Sequence, residues 1–427
     1  MRILILGAGF AGLAVAEHLQ KHRRKHQLEI TLVNRDNFML FTPMLHEVAS
    51  SELELGHVVS PVRRLVSGCD LVVGEVDSID LAAREVTVRH GSDMHAHRLG
   101  YDHLVLAMGL VSNDYGLPGM DRALRMKTLG DALRLRNHVI GVLEEADTEC
   151  AASHRRQNLT FVVAGGGFAG VETVAGINDC VRETLGQYRN LKADMVRTVL
   201  VHSGPRILPE LDASLGDYAR KQLERQGVEV LCNTRVAGYS GGAVQLKEHD
   251  EIPACTMVWT AGLKAPALLE ALPCRKERGR LVVDEFMALS EWPGVWALGD
   301  CALVPNSLDG LPCPPTAQHA VRQGRVLAGN ILAELQGKPK RAFRYRMLGQ
   351  LSALGKRTGV AQVLGLRFGG FVAWWLWRTL YLSKLPRLEK KLRVALDWTL
   401  DLFFPRELVQ FLTTRSGSAL LQEEAVR

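Results

Sequence analysis

Near its start the chain reads Ile3-Leu4-Ile5-Leu6-Gly7-Ala8-Gly9-Phe10-Ala11-Gly12, a short apolar run that passes into a G-x-G-x-x-G turn. The apolar run predicts a buried strand, and the residues after the turn predict a helix. In such a turn Gly7 permits the tight bend, Gly9 lets a pyrophosphate approach the backbone, and Gly12 lets the helix pack on the strand. Free N–H groups at the start of the helix then face the pyrophosphate. The stretch therefore predicts a dinucleotide-binding unit.

The same pattern recurs 158 residues further on. A strand predicted over 159–164 runs into Gly165-Gly166-Gly167-Phe168-Ala169-Gly170, and a helix is predicted over 171–176. Each copy therefore lies between a strand and a helix, which is the context that a nucleotide-binding turn requires. The alternative is a pair of tight turns that bind nothing, and the repetition disfavours it.

Both units depart from the usual pattern at the ribose, where an acid commonly ends the second strand. In the first unit Asn34 stands there, and its amide can donate and accept hydrogen bonds without a charge. In the second unit His202 and Ser203 follow the strand predicted over 199–201, and Arg206 lies nearby. Because no acid would repel a 2′-phosphate at that position, the second unit could bind either a phosphorylated or an unphosphorylated dinucleotide.

Three later segments end a buried strand with a glycine or an acid. Segments 101–109 and 258–262 finish at Gly109 and Gly262, and segment 294–300 finishes at Asp300. An acid so placed can bind the ribityl hydroxyls of a flavin.

Composition limits the other classes of protein. A length of 427 residues suggests about three units at ~150 residues each. Apolar residues make up 47% and charged residues 23%, which excludes a disordered, collagen-like or disulfide-scaffold chain. The net charge of +6 divides into +10 from residue 340 onward and −4 before it. The basic tail, with four of the seven tryptophans, therefore suggests an anionic partner such as a membrane surface or nucleic acid.

The eight cysteines form no C-x-x-C pair, which indicates neither a zinc site nor a disulfide framework and fits a reducing compartment. No metal site is predicted. The chain starts directly with a strand, so we expect no signal peptide. No apolar run reaches ~18 residues, so we expect no membrane-spanning segment.

Taken together, the two glycine-rich units, the glycine turns and the late Gly-Asp pair resemble flavoproteins with two dinucleotide-binding domains. In that superfamily the first site binds FAD, the second binds NAD(P)H, and the second domain is inserted into the first. Local signatures at 41–49, 317–324, 392–398 and 402–406 are similar to type II NADH:quinone oxidoreductases, single-subunit enzymes that pump no protons. This similarity covers essentially the whole chain.

The resemblance implies an α/β fold of two Rossmann-like domains with a C-terminal amphipathic, membrane-binding helical region. We expect an FAD domain at 1–115 and 263–340, an NAD(P)H domain at 116–262, and a region for membrane association and quinone access at 341–427. The residues implied for FAD are Gly7, Gly9, Phe10, Ala11, Gly12, Asn34, Arg35, Thr42, Pro43, Val76, Ala107, Gly109, Asp300, Ala317, Gln318 and Ala320. Those implied for NAD(P)H are Gly165, Gly167, Phe168, Gly170, Glu172, His202, Ala261 and Gly262.

Three residues are implied to take part in catalysis. Glu172, in the first turn of the second nucleotide-binding helix, would approach the nicotinamide and the flavin. An acid there can also simply stabilise the helix N-terminus through the dipole. Gln318 and Gln323, in a helix that Thr316 can cap, would polarise the quinone carbonyls. An ordinary capped helix is the alternative for that run.

The tail predicts a two-faced helix from about residue 386. Leucine, alanine and phenylalanine share one side, whereas Lys390, Arg393, Asp397 and Asp401 lie on the other. Together with the basic residues from 384 to 393 this pattern is typical of a helix at a membrane interface, and we expect lipid contact through residues 368–413. A core-packing helix and a homodimer surface are the alternatives.

The sequence thus predicts an enzyme that passes a hydride from NADH, or from NADPH, to FAD and then two electrons to a membrane quinone. One alternative is a sulfide:quinone or other NAD(P)H-acceptor reductase on the same fold, for which Cys301 and Cys313 are the candidate pair. The other is a redox-responsive flavoprotein whose basic tail binds nucleic acid or a partner protein. We expect a peripheral protein on the cytoplasmic face of a bacterial inner membrane, with a homodimer as a further option and no nucleic-acid partner.

Overall fold

A computed structural model describes residues 1–91, 93–401, 403–404 and 406–411. Positions 402, 405, 412 and 413 of the predicted lipid-contacting tail lie outside these residues. The α-helices are α1 (Phe10–Gln20), α2 (Arg23–His26), α3 (Leu45–Ala49), α4 (Val62–Leu65), α5 (Leu129–Thr148), α6 (Ala152–Asn158), α7 (Phe168–Thr184), α8 (Ala213–Arg225), α9 (Ala267–Glu270), α10 (Ala317–Leu335), α11 (Phe371–Lys384) and α12 (Leu388–Leu400).

The strands that precede the second glycine-rich turn are β1 (Arg2–Leu6), β2 (Glu29–Asn34), β3 (Phe38–Leu40), β4 (Val59–Pro61), β5 (Asp70–Val73), β6 (Glu75–Asp80), β7 (Glu85–His90), β8 (His95–Gly100), β9 (His103–Leu106), β10 (Val111–Ser112), β11 (Leu124–Arg125) and β12 (Thr160–Ala164). The remaining strands are β13 (Arg197–Val201), β14 (Val228–Leu231), β15 (Val236–Ser240), β16 (Ala243–Leu246), β17 (Ile252–Pro253), β18 (Thr256–Trp259), β19 (Leu263–Lys264), β20 (Lys276–Glu277), β21 (Arg280–Val282), β22 (Val295–Ala297), β23 (Ala302–Leu303), β24 (Gly349–Ala353), β25 (Gly359–Val363) and β26 (Leu366–Gly370). Short 3₁₀ turns occupy Thr42–Met44, Leu55–His57, Leu185–Gln187, Ala193–Met195 and Gly299–Cys301.

Contacts between residues divide the chain into two compact units. The first unit comprises Met1–Leu40, Val59–Val111 and Leu263–Met347, and the second comprises Phe41–Val58, Ser112–Gly262 and Leu348–Arg427. The segment Ser112–Gly262 of the second unit is inserted between parts of the first, as predicted, whereas Leu348–Arg427 follows the first unit in the chain. The segment Phe41–Val58 groups with the second unit, together with the tail.

A parallel five-stranded sheet in the order β22-β9-β1-β2-β5 forms the core of the first unit. β1 is buried along Ile3–Leu6 because its apolar side chains face both layers, which is usual for a central parallel strand. Helix α10 packs closely on α1, since a Cβ on Gly324 would lie 2.7 Å from the Ala11 carbonyl oxygen. This crossing brings the start of α10 near the first glycine-rich turn.

A second parallel sheet, in the order β11-β18-β12-β13-β14, forms the core of the other unit. Its strand β12 pairs with β13 and β18, as β1 pairs with β2 and β9 in the first unit. The repeated topology confirms the predicted pair of Rossmann-like units. The three-stranded antiparallel sheet β24-β25-β26 and helix α11 pack together in the same unit.

Helix α12 turns its leucines outward. Leu388, Leu392 and Leu396 are 71%, 63% and 58% exposed, whereas Val394 and Trp398 are buried. The predicted apolar stripe is therefore on the surface, as an interfacial helix requires. One detail of the prediction is wrong: Lys390 is buried and its Nζ donates to the Gly56 carbonyl oxygen, so it cannot belong to a basic surface that meets lipid.

Among the described residues, no helix combines the length and the apolar character needed to cross a bilayer.

Candidate functional site

The first glycine-rich turn has the geometry of a phosphate cradle. Gly7 has φ +104°, and a Cβ on Gly12 would lie 1.9 Å from the Gly7 carbonyl oxygen. A Cβ on Gly9, by contrast, would meet no described atom within 4 Å. Gly7 and Gly12 are therefore required by the backbone itself, whereas Gly9 borders open space at the N-terminus of α1, where Phe10 and Ala11 begin the helix. This open space at the N-terminus of α1 fits the pyrophosphate of FAD.

Asn34 holds this turn from the end of β2. Its Oδ1 accepts a hydrogen bond from the Ala8 N–H at 2.9 Å, and its Nδ2 donates to the Asp36 carbonyl oxygen at 2.7 Å. The amide therefore positions the loop without adding a negative charge to it.

The predicted acid at the end of β22 is also in place. Asp300 lies in the 3₁₀ turn Gly299–Cys301, whose Gly299 has φ +71°. The Gly299 N–H donates to Gln323 Oε1 at 2.8 Å, and Arg280 Nε donates to the Asp300 carbonyl oxygen at 2.9 Å. Gln323 is 2% exposed, so it supports the Asp300 turn from inside the unit, and its contact with a quinone stays a prediction.

The rest of the predicted FAD set divides between the two units. Arg35, Val76, Ala107, Gly109, Ala317, Gln318 and Ala320 belong to the first unit, and Thr42 and Pro43 belong to the second. Gly109 has φ +64° and no described atom within 4 Å of its Cβ position, so it borders open space as Gly9 does. Gln318 Oε1 accepts a hydrogen bond from the Tyr345 hydroxyl at 2.9 Å, which orients the amide at the start of α10.

The second glycine-rich turn repeats the geometry of the first. Gly165 has φ +117°, and a Cβ on Gly170 would lie 1.7 Å from the Gly165 carbonyl oxygen. At Gly167, where Phe168 begins α7, the nearest described atom to a Cβ is the Glu210 carboxylate oxygen at 3.6 Å. Thr260 Oγ1 donates to the Ala164 carbonyl oxygen at 2.7 Å and so ties β18 to the turn, just before Ala261 and Gly262. This turn too fits a dinucleotide pyrophosphate.

His202 takes the place of Asn34 in this second copy. Its Nδ1 accepts from the Gly166 N–H at 3.1 Å, just as Asn34 accepts from Ala8. Burial lowers the pKa of His202, which favours the neutral ring that this hydrogen bond needs. The loop is therefore held by a neutral side chain where a carboxylate is usual.

Glu172 lies in the first turns of α7 and is 9% exposed. Its Oε1 accepts from the Ala353 N–H and from Trp377 Nε1, both at 3.3 Å, and its Oε2 lies 3.6 Å from His46 Nδ1. Burial raises the pKa of Glu172 to about 8 and lowers the pKa of His46 to about 4. At neutral pH a protonated carboxyl thus faces a neutral imidazole, so Glu172 can hold a proton inside the unit.

Sequence reasoning missed the residues around Glu172. His46, Glu47 and Trp398 are buried, and Trp398 Nε1 donates to Glu47 Oε2 at 3.2 Å. A histidine and an acid inside the apolar run 41–49 were the available signal, because charged residues are seldom fully buried without a role. The tryptophans that contact His46 and Glu47 come from the tail, more than 300 residues away, and local spacing could not reveal them.

The comparisons with known proteins agree with this geometry. Residues 1–324 match the family described as pyridine nucleotide-disulphide oxidoreductase, and residues 347–407 match the NDH2 C-terminal domain. The type II NADH:quinone oxidoreductase NdhA of Mycobacterium tuberculosis is 30% identical over 93% of this chain and 86% of that protein. The Staphylococcus aureus (strain NCTC 8325 / PS 47) type II NADH:quinone oxidoreductase is 30% identical over 86% of this chain and 91% of its own length. The chain belongs to the type II NADH:quinone oxidoreductases.

A solved structure of the same family shares the fold. NDH2 from Plasmodium falciparum in complex with NADH superposes with a TM-score of 0.88 at 18% identity, covering 96% of this chain and 99% of that one. The sulfide:quinone oxidoreductase of Aquifex aeolicus gives a TM-score of 0.71 at 16% identity, covering 96% and 98%. Family membership confirms the predicted enzyme class with its FAD and NADH, and the two superpositions confirm the predicted fold.

The two candidate cysteines do not resemble reactive thiols. Cys301 and Cys313 are both buried, and burial raises the pKa of each to about 11. Cys301 Sγ also lies within hydrogen-bonding distance of the Leu298 and Leu106 carbonyl oxygens. At neutral pH both thiols stay protonated, and a thiol in that form is a poor nucleophile for sulfide chemistry.

Proposed function

We propose that this chain oxidises NADH and reduces a membrane quinone to the quinol, without proton pumping. The overall reaction is NADH + H⁺ + quinone → NAD⁺ + quinol, in which the solvent supplies one proton. FAD, when bound, supplies the two-electron chemistry that joins the two substrates. The observation that carries the proposal is the pair of glycine-rich turns, each closed at the glycine beneath the helix, with open space beside Gly9 in the first turn.

The first unit supports FAD binding through its own side chains and backbone. We assign the pyrophosphate to Gly9 and the α1 N-terminus, and the ribityl hydroxyls to Asp300. Gln323 and Arg280 fix the Asp300 turn by the hydrogen bonds given above. These contacts position the cofactor before any substrate arrives, which lowers the reorganisation that reaction would otherwise require.

For the electron donor we propose NADH at the turn Gly165–Gly170, with NADPH accepted as well. The neutral His202 ring supports this dual use, because it offers no charge to repel a 2′-phosphate. Arg206 follows four residues later and is exposed, so its guanidinium group is available to pair with a 2′-phosphate.

For the electron acceptor we propose that Gln318 hydrogen-bonds a quinone carbonyl. Its Oε1 accepts a hydrogen bond from the Tyr345 hydroxyl, which fixes the orientation of the amide at the start of α10. Gln323 would contribute indirectly, by keeping the Asp300 turn in place.

The outward leucines of α12 support a peripheral attachment to the bilayer. Phe371, Val372 and Trp375 of α11 are 57%, 61% and 55% exposed and add aromatic and apolar surface. Exposed apolar surface of this extent marks a membrane or a protein interface, and a quinone is itself dissolved in the bilayer. We further propose that the protein lies on the cytoplasmic face of a bacterial inner membrane.

The proposal is tested with the flavin-loaded protein on vesicles that contain a quinone. We expect one quinol for each NADH oxidised, and Gln318→Ala should slow quinone reduction at least ~10-fold while flavin reduction by NADH keeps its rate. A matched control is Gln336→Ala, outside the proposed quinone and flavin contacts, which should change neither rate. Equal slowing of both half-reactions in Gln318→Ala would contradict the assignment of Gln318.

A further inference from the structure

The two glycine-rich turns differ in what lies beside the glycine that precedes the helix. Gly9 and Gly167 have nearly the same backbone, with φ −76° and ψ −168° in the first and φ −79° and ψ −176° in the second. No described atom lies within 4 Å of the Cβ position of Gly9, whereas Glu210 Oε1 lies 3.6 Å from that of Gly167. The chain thus contains the same cradle twice, and among the described atoms a carboxylate stands at the mouth of the second copy alone.

The fold holds Glu210 at this place through the residues on either side of it. The segment that follows β13 returns over the turn, where the Leu208 N–H donates to the Gly166 carbonyl oxygen at 2.6 Å. Two residues after Glu210, the Asp212 N–H donates to Gln362 Oε1 at 3.0 Å, and the Asp212 side chain caps α8. The backbone of Glu210 is therefore anchored beside the second turn, and rotation of its side chain keeps the carboxylate near that turn.

The charge of Glu210 is not neutralised by a neighbouring cation. Glu210 is exposed, and a glutamate in water is ionised at neutral pH. No lysine or arginine in the described part of the chain forms an ion pair with it. Its charge reaches His202, since burial lowers the pKa of His202 and the negative charge of Glu210 acts against that shift. An unpaired negative charge therefore acts on the loop that a dinucleotide would contact.

A negative charge beside Gly167 opposes the binding of a pyrophosphate, whose two phosphates are each charged. The repulsion between two unit charges about 5 Å apart in water changes an affinity roughly 4-fold, and the second phosphate adds to it. An acid that binds the ribose would instead stand where His202 stands, since His202 contacts Gly166 from the end of β13. Glu210 lies beside the next glycine, so repulsion of the pyrophosphate is the effect that its position favours.

We propose that Glu210 weakens dinucleotide binding at the second turn, so that a substrate exchanges there while the first turn keeps its dinucleotide as a cofactor. The oxidised donor must leave after each turnover, whereas FAD stays bound through all of them. The carboxylate favours that departure because it repels the pyrophosphate whether the nicotinamide is oxidised or reduced. The inference rests on the proposed function, because it assigns the nicotinamide dinucleotide to the turn Gly165–Gly170, and it adds the residue that sets the affinity of that site.

The test measures NAD⁺ binding to the full flavin-loaded chain by calorimetry, because NAD⁺ does not react with oxidised flavin. Glu210→Gln keeps the size of the side chain and removes its charge. We expect the Kd for NAD⁺ to fall roughly 3–10-fold at about 0.01 M salt, where the screening length is about 30 Å. At about 1 M salt, where that length is about 3 Å, the Kd should match the wild type. In turnover at low salt, inhibition by NAD⁺ should strengthen by the same factor as its binding.

Two further variants separate the local charge from side-chain shape and from the net charge of the unit. Glu210→Asp keeps the carboxylate, so it should bind NAD⁺ as the wild type does. Asp194→Asn removes one exposed negative charge from the same unit. Asp194 precedes β13 and Glu210 follows it, so the two acids lie at opposite ends of a strand about 16 Å long. The affinity of Asp194→Asn for NAD⁺ should therefore match the wild type at either salt concentration.

An unchanged affinity for NAD⁺ in Glu210→Gln at low salt would overturn the inference. Weaker binding would overturn it as well, because it would show that the carboxylate accepts hydrogen bonds from the dinucleotide and does not repel it. Both results would leave the proposed function intact. A wild-type protein whose flavin is not reduced by NADH, or not reoxidised by quinone, would instead overturn the proposed function itself.

Discussion

The two glycines that flank the start of α1 should respond to the same substitution in opposite ways. A Cβ on Gly12 would lie 1.9 Å from the Gly7 carbonyl oxygen, whereas ordinary C···O contacts are about 3.3 Å or longer. Gly12→Ala therefore forces α1 and the Gly7 turn apart by about 1.4 Å, because the oxygen that the new methyl group meets belongs to the backbone and cannot rotate away. Overpacking of this kind costs about 3 kcal/mol.

For a unit of this size, that cost corresponds to a Tm lowered by ~6–12 °C. Gly9→Ala, at φ −76° and with no described atom within 4 Å, should leave the Tm of the flavin-free protein unchanged. It should nevertheless weaken FAD binding ~10-fold or more, because the added methyl group occupies the space assigned to the pyrophosphate.

The assay is calorimetry of both flavin-free proteins, followed by FAD titration through quenching of flavin fluorescence. Wild-type FAD affinity in Gly9→Ala would refute the cradle, even if Gly12→Ala behaves as expected. An unchanged Tm in Gly12→Ala would refute the packing argument.

Three further substitutions test separate parts of the account. His202→Glu should weaken NADPH binding ~10-fold relative to NADH, because a carboxylate would repel the 2′-phosphate; dissociation constants from nucleotide fluorescence measure this, and equal weakening of both would contradict it. Glu172 has its pKa raised from 4.5 to about 8, so its neutral form stabilises the fold below pH 4.5 and that stability is lost as the pH rises to about 8. The Tm of Glu172→Gln minus the Tm of the wild type should therefore increase as the pH rises from 5 to 8.5. A difference that stays constant over this range would argue against a protonated Glu172. Leu392→Ser with Leu396→Ser should weaken binding to anionic vesicles ~10-fold, whereas Leu311→Ser, 65% exposed in the first unit, should not; a loss of dimer mass with unchanged vesicle binding would support a protein interface instead.

The fold and the nucleotide sites were predictable because they depend on local pattern. The G-x-G-x-x-G turns impose their conformation through steric limits that act within six residues, as the contact of Gly12 with Gly7 shows. The apolar stripe of α12 was predictable for a similar reason, since a helix repeats every 3.6 residues and Leu388, Leu392 and Leu396 follow that period.

The surroundings of Glu172 were not predictable, because they depend on contacts between distant parts of the chain. The pairing of Glu47 with Trp398 spans 351 residues, and no periodicity in either segment marks it. Lys390 shows the same limit at one position. Helical spacing grouped it with Arg393, which is exposed, but Lys390 is buried on the face of Val394 and Trp398 and contacts Gly56. Helical spacing groups residues on a face, but only the packing decides where the face points.

An anaerobic flavin spectrum of the intact, flavin-loaded protein tests the central claim most directly. One equivalent of NADH should bleach the flavin absorbance near 450 nm, which is the usual flavin band. Subsequent addition of a short-chain quinone should restore it. A flavin that NADH leaves unbleached, or one that stays bleached after the quinone is added, would contradict the account.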